Sequence, residues 1–199
     1  VDVSSEYLLF SQYISNGHTI YFTLNLKTLQ ITELTKESAY YKEAKFTNDS
    51  RGIWWLSDAA SNFFNLYYYD LGQKKITKVN KPEINITDFA FSPSEKLLAL
   101  KVNDSGADSI HIYEVSENQI SRELNQPKIE PGVIEKLEWR DDRELAFGFE
   151  SLKTPSEIRS YNVTNSVIQT WAQGEVTKNI VDQIQDTRLI KWKSFDNRE

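Results

Sequence analysis

The sequence predicts an all-β protein, a partial β-propeller of about four blades, each a four-stranded antiparallel sheet. Two repeats carry that expectation. An outer hairpin recurs as Leu24-Asn25-Leu26 with Ile31, Tyr69-Asp70-Leu71 with Ile76, Tyr113-Glu114-Val115 with Ile120, and Tyr161-Asn162-Val163 with Ile168, the copies beginning 45, 44 and 48 residues apart. An inner hairpin recurs upstream of it. Phe46, Phe91 and Trp139 close its first strands and lie 45 and 48 residues apart, so two independent landmarks give one pitch.

Each element has a local reason. In the first copy Tyr7 to Ile14 is the expected second strand and His18 to Leu26 the third, while Val1 to Ser5 is too short for a turn and an innermost strand. With no methionine anywhere, this reads as a chain that starts inside a propeller. In the second copy Ala44-Lys45-Phe46 leads through Thr47 to Gly52 into Ile53-Trp54-Trp55-Leu56. The third runs Phe89-Ala90-Phe91, Ser92 to Lys96, Leu97-Leu98-Ala99-Leu100, and the fourth Leu137-Glu138-Trp139, Arg140 to Glu144, Leu145-Ala146-Phe147. Apolar runs without strict alternation suit strands covered on both faces by neighbouring blades. In the outer hairpins, residues i and i+2 share a face, so the first and third landmark residues point together and the Asn, Asp or Glu between them points away. That face is expected to pack on the next blade. The turns that follow, such as Gly72-Gln73-Lys74 and Thr164-Asn165-Ser166, return the isoleucine to it.

Composition fits such a domain and narrows the function. The 199 residues are 39% apolar and 13% aromatic, enough for a row of inter-blade cores. No apolar run approaches the roughly 20 residues of a membrane helix, and Val1 to Ile20 lacks the pattern of a signal peptide, so no membrane partner is expected. Absence of cysteine fits a cytoplasmic or a bacterial periplasmic setting. The net charge is −6 and the 23 basic residues are scattered, which argues against nucleic acid.

Catalytic chemistry is sparse. None of the seven glycines frames a serine as Gly-x-Ser-x-Gly, the small-residue elbow that a hydrolase nucleophile needs. His18 and His111 fall on expected third strands and read as strand-face residues, and two histidines without cysteine give no zinc set. Asp141, Asp142 and Glu144 occupy the tight turn that Asp49 and Ser94 occupy in sister blades, where short polar side chains bond their own backbone. Asn103 to Asp108 lacks the alternating oxygens and closing glutamate of a calcium loop and reads as a turn. No catalytic residue, metal or cofactor is expected within this chain. Alternate members of Trp54-Trp55 and Tyr67-Tyr68-Tyr69 are expected to fill the inter-blade core and the rest to dress the outer face. Phe63 and Phe64 lie in a loop where exposed rings would mark contact with a partner domain.

The last thirty residues leave the repeat. Trp171-Ala172-Gln173-Gly174-Glu175 is followed by helical spacing at Val176, Ile180 and Ile184, then by Leu189-Ile190-Lys191-Trp192-Lys193-Ser194-Phe195-Asp196-Asn197-Arg198. This tail resembles the propeller-to-hydrolase junction of the prolyl oligopeptidase family of serine peptidases, where a Trp-x-x-Ser-Glu segment precedes a strand like Leu-Ile/Val-x-Tyr/Trp-Lys-Ser-Phe-Asp-Gly-Arg. The repeats resemble the TolB-like blades of that family. Gly174 stands for the usual Ser, Asn197 for the usual Gly, and Ser92-Pro93-Ser94-Glu95-Lys96 departs from Ser-Pro-Asp-Gly-Lys at two positions.

The resemblance implies residues 1–175 as blades and 176–199 as a linker and first strand leading to an α/β-hydrolase domain. It implies that the triad lies in that domain, and that the propeller covers the active site and gates short peptide substrates. Trp171, Glu175, Trp192, Phe195 and Asp196 are the expected junction residues. A stand-alone TolB-like scaffold is the alternative, and a channel glycosidase is disfavoured because the acids map to turns. Open blade faces at both ends would favour self-association.

Overall fold

A computed structural model describes residues 1–80, 83–175, 184–185 and 189–195. It is all-β and propeller-like, with four four-stranded antiparallel sheets among the described residues, each pairing strands in chain order. The first holds β1 (Asp2–Val3), β2 (Tyr7–Ser15), β3 (His18–Asn25) and β4 (Ile31–Glu33). The second holds β5 (Tyr41–Phe46), β6 (Gly52–Ser57), β7 (Asn65–Asp70) and β8 (Lys75–Lys78). The third holds β9 (Ile86–Phe91), β10 (Leu97–Asp104), β11 (Ala107–Ser116) and β12 (Gln119–Glu123). The fourth holds β13 (Val133–Trp139), β14 (Glu144–Glu150), β15 (Glu157–Asn162) and β16 (Val167–Gln173).

The outer hairpins pair as the repeat demands. Ile31 lies opposite Leu24, Ile76 opposite Tyr69, and Ile168 opposite Tyr161. In the third blade a bulge between Glu114 and Val115 shifts the partner, so Ile120 faces Val115. Two expectations are corrected. The first blade is not short of a strand, because Asp2 and Val3 pair with Leu9 and Leu8 after a turn in which the Ser4 hydroxyl accepts the Tyr7 amide. Further, the landmark face packs on the preceding blade and not the next: Tyr69 joins Leu9 and Tyr21 of the first blade, and Tyr161 joins Ala99 and Ile112 of the third.

Each inter-blade core follows from alternation. Trp55, Ile53 and Tyr69 turn toward the first blade, while Trp54, Leu56, Leu66 and Tyr68 turn toward Phe89, Leu98 and Leu100 of the third. Adjacent tryptophans therefore fill different cores, as period-two geometry requires. The first blade's remaining face carries Leu8, Leu24 and a stacked Phe10–Phe22 pair at 5.4 Å, half-buried, with Val3 and Ile31 exposed.

Backbone locks repeat at the same pitch. The amides of Leu26, Leu71, Val115 and Val163 donate to the carbonyls of Glu6, Arg51, Lys96 and Arg143 at 2.8–3.0 Å. The innermost strands bulge at equivalent places, at Glu43 in β5, Thr87 in β9 and Lys136 in β13, with φ of 53° at Glu43 and 43° at Lys136. In the inner turns Ser50 and Glu95 take φ of 59° and 57°. Glu95 stands where the resembling motif has glycine, the residue that adopts this backbone without a Cβ penalty.

The linker after each outermost strand is clasped over the third strand. Leu34, Val79 and Leu124 donate backbone amides to Tyr21, Leu66 and Ile112, whose own amides donate to Thr35 Oγ1 (2.9 Å), Asn80 Oδ1 (2.8 Å) and Gln126 Oε1 (2.6 Å). Asn80 also donates to Asn65 Oδ1 at 2.8 Å, and both side chains are buried. Replacing Asn80 with Ala strands the buried Leu66 amide, so urea unfolding is expected to register a loss of about 1–3 kcal/mol.

Candidate functional site

Topology divides the loops between two rims. One rim carries the turns between first and second strands and those between third and fourth. The other carries the loops between second and third strands and the linkers between blades, and the chain leaves β16 on that side.

The turn rim is polar and its acids are used internally. Asp141 Oδ1 accepts the amides of Arg143 (2.7 Å) and Glu144 (3.0 Å), and Asp49 Oδ1 accepts that of Arg51 (3.0 Å). Successive turns are stitched together: the Asn48 amide donates to Glu95 Oε1 at 2.9 Å, and the Ser94 amide to Asp142 Oδ1 at 3.0 Å. Hydrogen bonds from Ser92 and Ser94 hold the Asp142 carboxyl below the usual range, while burial pushes Glu95 up. The turn reading of these acids stands. Asn103 likewise turns inward on its own loop, its Oδ1 accepting the Gly106 amide and its Nδ2 donating to Asp108.

Apolar side chains stay uncovered on the linker rim, as Leu26 and Leu29 do in the first blade's outer turn on the other. Tyr13 and Ile14 mark the first blade, Phe63 the second, and Leu152 and Val133 the fourth. Phe63 is exposed, whereas Phe64 is half-buried, with Lys42 Nζ 4.0 Å from its ring centroid. A cleft of about 750 Å³ runs between Asp104–Ala107, Pro131–Val133 and Glu150–Leu152, and Leu189 of the tail lines it. Gln185 lines an adjoining cleft with Glu130 and Pro131. Gln185 and Leu189 thus lie against this rim at the third and fourth blades.

Beneath it lies the most heavily bonded ion cluster among the described residues. Arg159 Nε donates to Glu157 Oε2 at 2.6 Å, and its Nη1 and Nη2 reach Glu130 Oε2 and Oε1 at 3.0 and 2.8 Å. Its guanidinium carbon sits 4.1 Å from the Phe149 ring centroid. Arg159 and Glu157 are buried, and the hydrogen bond from Arg159 holds the Glu130 carboxyl below the usual range. Sequence reasoning missed this cluster; its only signal is charge placed in strand positions that should face a core.

The expected junction residues are dispersed. Trp171 lies on β16 on the outward face of the fourth blade, where its indole donates to Ser160 Oγ (2.8 Å), which donates to Glu144 Oε1 (2.8 Å). Arg140 Nη1 bonds the other Glu144 oxygen at 2.9 Å, so Glu144 belongs to a surface network as well as to its turn. Glu175 is exposed just past the strand. Trp192 and Phe195 are 75% and 101% exposed. Asp196 lies outside the described residues, as do Val176, Ile180 and most of the expected linker. Among the described residues no ring contact joins Trp171, Trp192 and Phe195.

Among the described residues no nucleophile, base and orienting acid come together within hydrogen-bonding distance. Ser109 Oγ lies 3.2 Å from His111 Nε2, and His111 Nδ1 lies 3.9 Å from Glu123 Oε1, the nearest approach to a nucleophile and base. That last separation exceeds a hydrogen bond, and Ser109 stands exposed. Among the described residues no group of three or more His, Asp or Glu is placed to hold a metal, and no helix is long and apolar enough to cross a membrane.

No protein-family model matches this sequence, and no curated protein matches it. Solved structures do match in fold. A prolyl oligopeptidase B from Galerina marginata superposes with a TM-score of 0.78 at 13% identity, over 97% of this chain and 28% of its own. TolB from Acinetobacter baumannii gives 0.64 at 18%, over 87% and 43%, and a puromycin-hydrolyzing peptidase from Mycobacterium tuberculosis 0.66 at 12%, over 83% and 26%. The chain therefore spans between a quarter and under half the length of these proteins. At such identities the likeness is one of fold, and it joins the two groups that the tail and the blades resemble.

Proposed function

We propose that this chain is the non-catalytic propeller part of a prolyl-oligopeptidase-type serine peptidase, docking a catalytic α/β domain on its linker rim and limiting entry to short peptides. One observation carries the reading. Past β16, Gln185 and Leu189 lie in clefts of the linker rim while Trp192 and Phe195 stay in solvent, an apolar surface that a free scaffold would not need. Superposition of the fungal oligopeptidase over 97% of the chain supports it, since so few residues are left uncovered that part of this tail is included. In this reading the apolar face of the first blade is covered by a further blade, and the chain alone associates through it. The likeness to TolB favours a second reading, a propeller scaffold for another protein.

The test is to read the gene onward from the codon for Glu199 and assay its full product. A downstream Gly-x-Ser-x-Gly followed in order by Asp and His, with cleavage of short peptides and not of folded proteins, is the expected result. A stop codon or further blades would leave the scaffold.

A further inference from the structure

Each blade ends on an outermost strand that pairs on one side only, β4, β8, β12 and β16 in turn. Such an edge presents a row of backbone N–H and C=O groups to any extended chain, and charged side chains are a common guard against pairing there. Three of these edges are short or guarded. β4 has three residues and ends on Glu33, β8 carries Lys75 and Lys78, and β12 carries Arg122 and Glu123. β16 runs for seven residues, Val167-Ile168-Gln169-Thr170-Trp171-Ala172-Gln173, without a charge, a proline or a glycine. All but Ile168 are exposed, Val167 at 52% and Trp171 at 56%.

We propose that the open edge of β16 docks an extended peptide segment bearing an acidic side chain, which adds a fifth strand to the fourth blade. The surfaces on the two sides of this edge differ. Beside Ser166 and Ile168 a cleft of about 740 Å³ opens against the linker after β12, lined by Asn125, Gln126, Pro127 and Lys128. Gln126 is committed to the backbone of Ile112 and Leu124, and Asn125 Nδ2 donates to Ser166 Oγ at 3.4 Å. Lys128 is exposed and has neither a hydrogen bond nor an ion pair among the described residues, so its charge selects the occupant. On the other face the Trp171 indole is anchored to Ser160 Oγ, which holds a largely exposed ring beside the edge. Successive residues of an added strand point to opposite faces, so an acidic side chain over the cleft turns its two neighbours toward Trp171. Main-chain bonds to β16 supply affinity and the two flanking surfaces supply specificity. A second copy of β16 has no acid to answer Lys128. The edge belongs to the circumference of the blade and not to the rim proposed to dock a catalytic domain, so it is accessible in either function proposed above.

The experiment is hydrogen exchange of the β16 amides in the whole chain, titrated with the acetylated and amidated peptide Thr-Thr-Val-Glu-Val-Thr-Thr. Saturable protection of β16 is expected, with β4, β8 and β12 unchanged. Exchanging the central Glu of the peptide for Gln should weaken binding about threefold, as for one exposed ion pair. Lys128→Glu, at an exposed position, should reverse that preference. A fully N-methylated peptide keeps the side chains but has no amide donors, and it should bind about tenfold more weakly or worse. No protection up to about 5 mM peptide, equal binding of the N-methylated peptide, or a Glu-over-Gln preference that survives Lys128→Glu would overturn the site. Protection of β16 that grows with protein concentration and ignores the peptide would assign the edge to a second copy and overturn it likewise.

Discussion

Replacing Arg159 with alanine is expected to lower stability by about 3–5 kcal/mol at neutral pH, read by urea unfolding, because it leaves a buried carboxylate without its partner. The Glu157 side chain is only 7% exposed, and its bond with Arg159 Nε is 2.6 Å long. The substitution also removes the cation from the Phe149 face and frees the linker residue Glu130. Changing Arg159 to Met together with Glu157 to Leu should restore much of the loss, since a packed apolar pair carries no desolvation cost. The pH dependence has a definite sign. Arg159 lowers the folded pKa of Glu130 from its ordinary 4.5, so that contribution is complete above the ordinary value and disappears as pH falls through the lowered one. Glu130→Gln should therefore flatten the acid limb of the wild-type stability curve. In Arg159→Ala the contribution of Glu130 is already lost, so the deficit should narrow as the solution is acidified.

Much of the architecture was legible because the propeller repeats and its landmarks are large side chains. The pitch and both hairpins follow from alternation and spacing alone, whereas Trp54 and Trp55, of which only one was expected in a core and the other on the outer face, are both buried, in different cores. Other features leave no shared letter. Thr35, Asn80 and Gln126 perform one task, accepting the third-strand amide, and any side chain with an acceptor of suitable reach can do it. Glu43, Thr87 and Lys136 mark one bulge with three unrelated residues, since a bulge is a backbone event. The two-residue β1 escaped because periodicity needs more residues than it has. The direction in which the landmark face packs depends on the handedness with which sheets stack, which no single hairpin records. Of the site, the exposed apolar tail was legible from composition. Glu130 and Arg159, 29 positions apart, and Lys128 beside Ile168 were not, because each grouping joins a linker to a strand distant from it in sequence.

Tyr161→Ala is expected to cost about 3–5 kcal/mol, the range for emptying a buried aromatic site. The ring is 1% exposed between the third and fourth blades, against Ile112, Leu145 and Phe147, and its hydroxyl donates to the Asn125 carbonyl at 3.0 Å. Tyr161→Phe isolates that hydrogen bond and should cost about 0.5–1.5 kcal/mol. Tyr113 occupies the same repeat position but is half-buried, because the bulge at Glu114 slips its outer pairing, so Tyr113→Ala should cost less. The contrast tests the register itself: a cost below about 0.5 kcal/mol at Tyr161 would place the landmark face in solvent. Location matters as well as size. In an array of blades each repeat is stabilised by its neighbours, so weakening one interface should loosen one end before the other. Native-state hydrogen exchange of Tyr161→Ala should show lost protection across β13–β16 while β5–β8, held by the separate cores around Trp54 and Trp55, retain theirs. Uniform loss across all four sheets would mean that the blades unfold as one cooperative unit, and that the three cores are coupled more tightly than their separation by sheets implies.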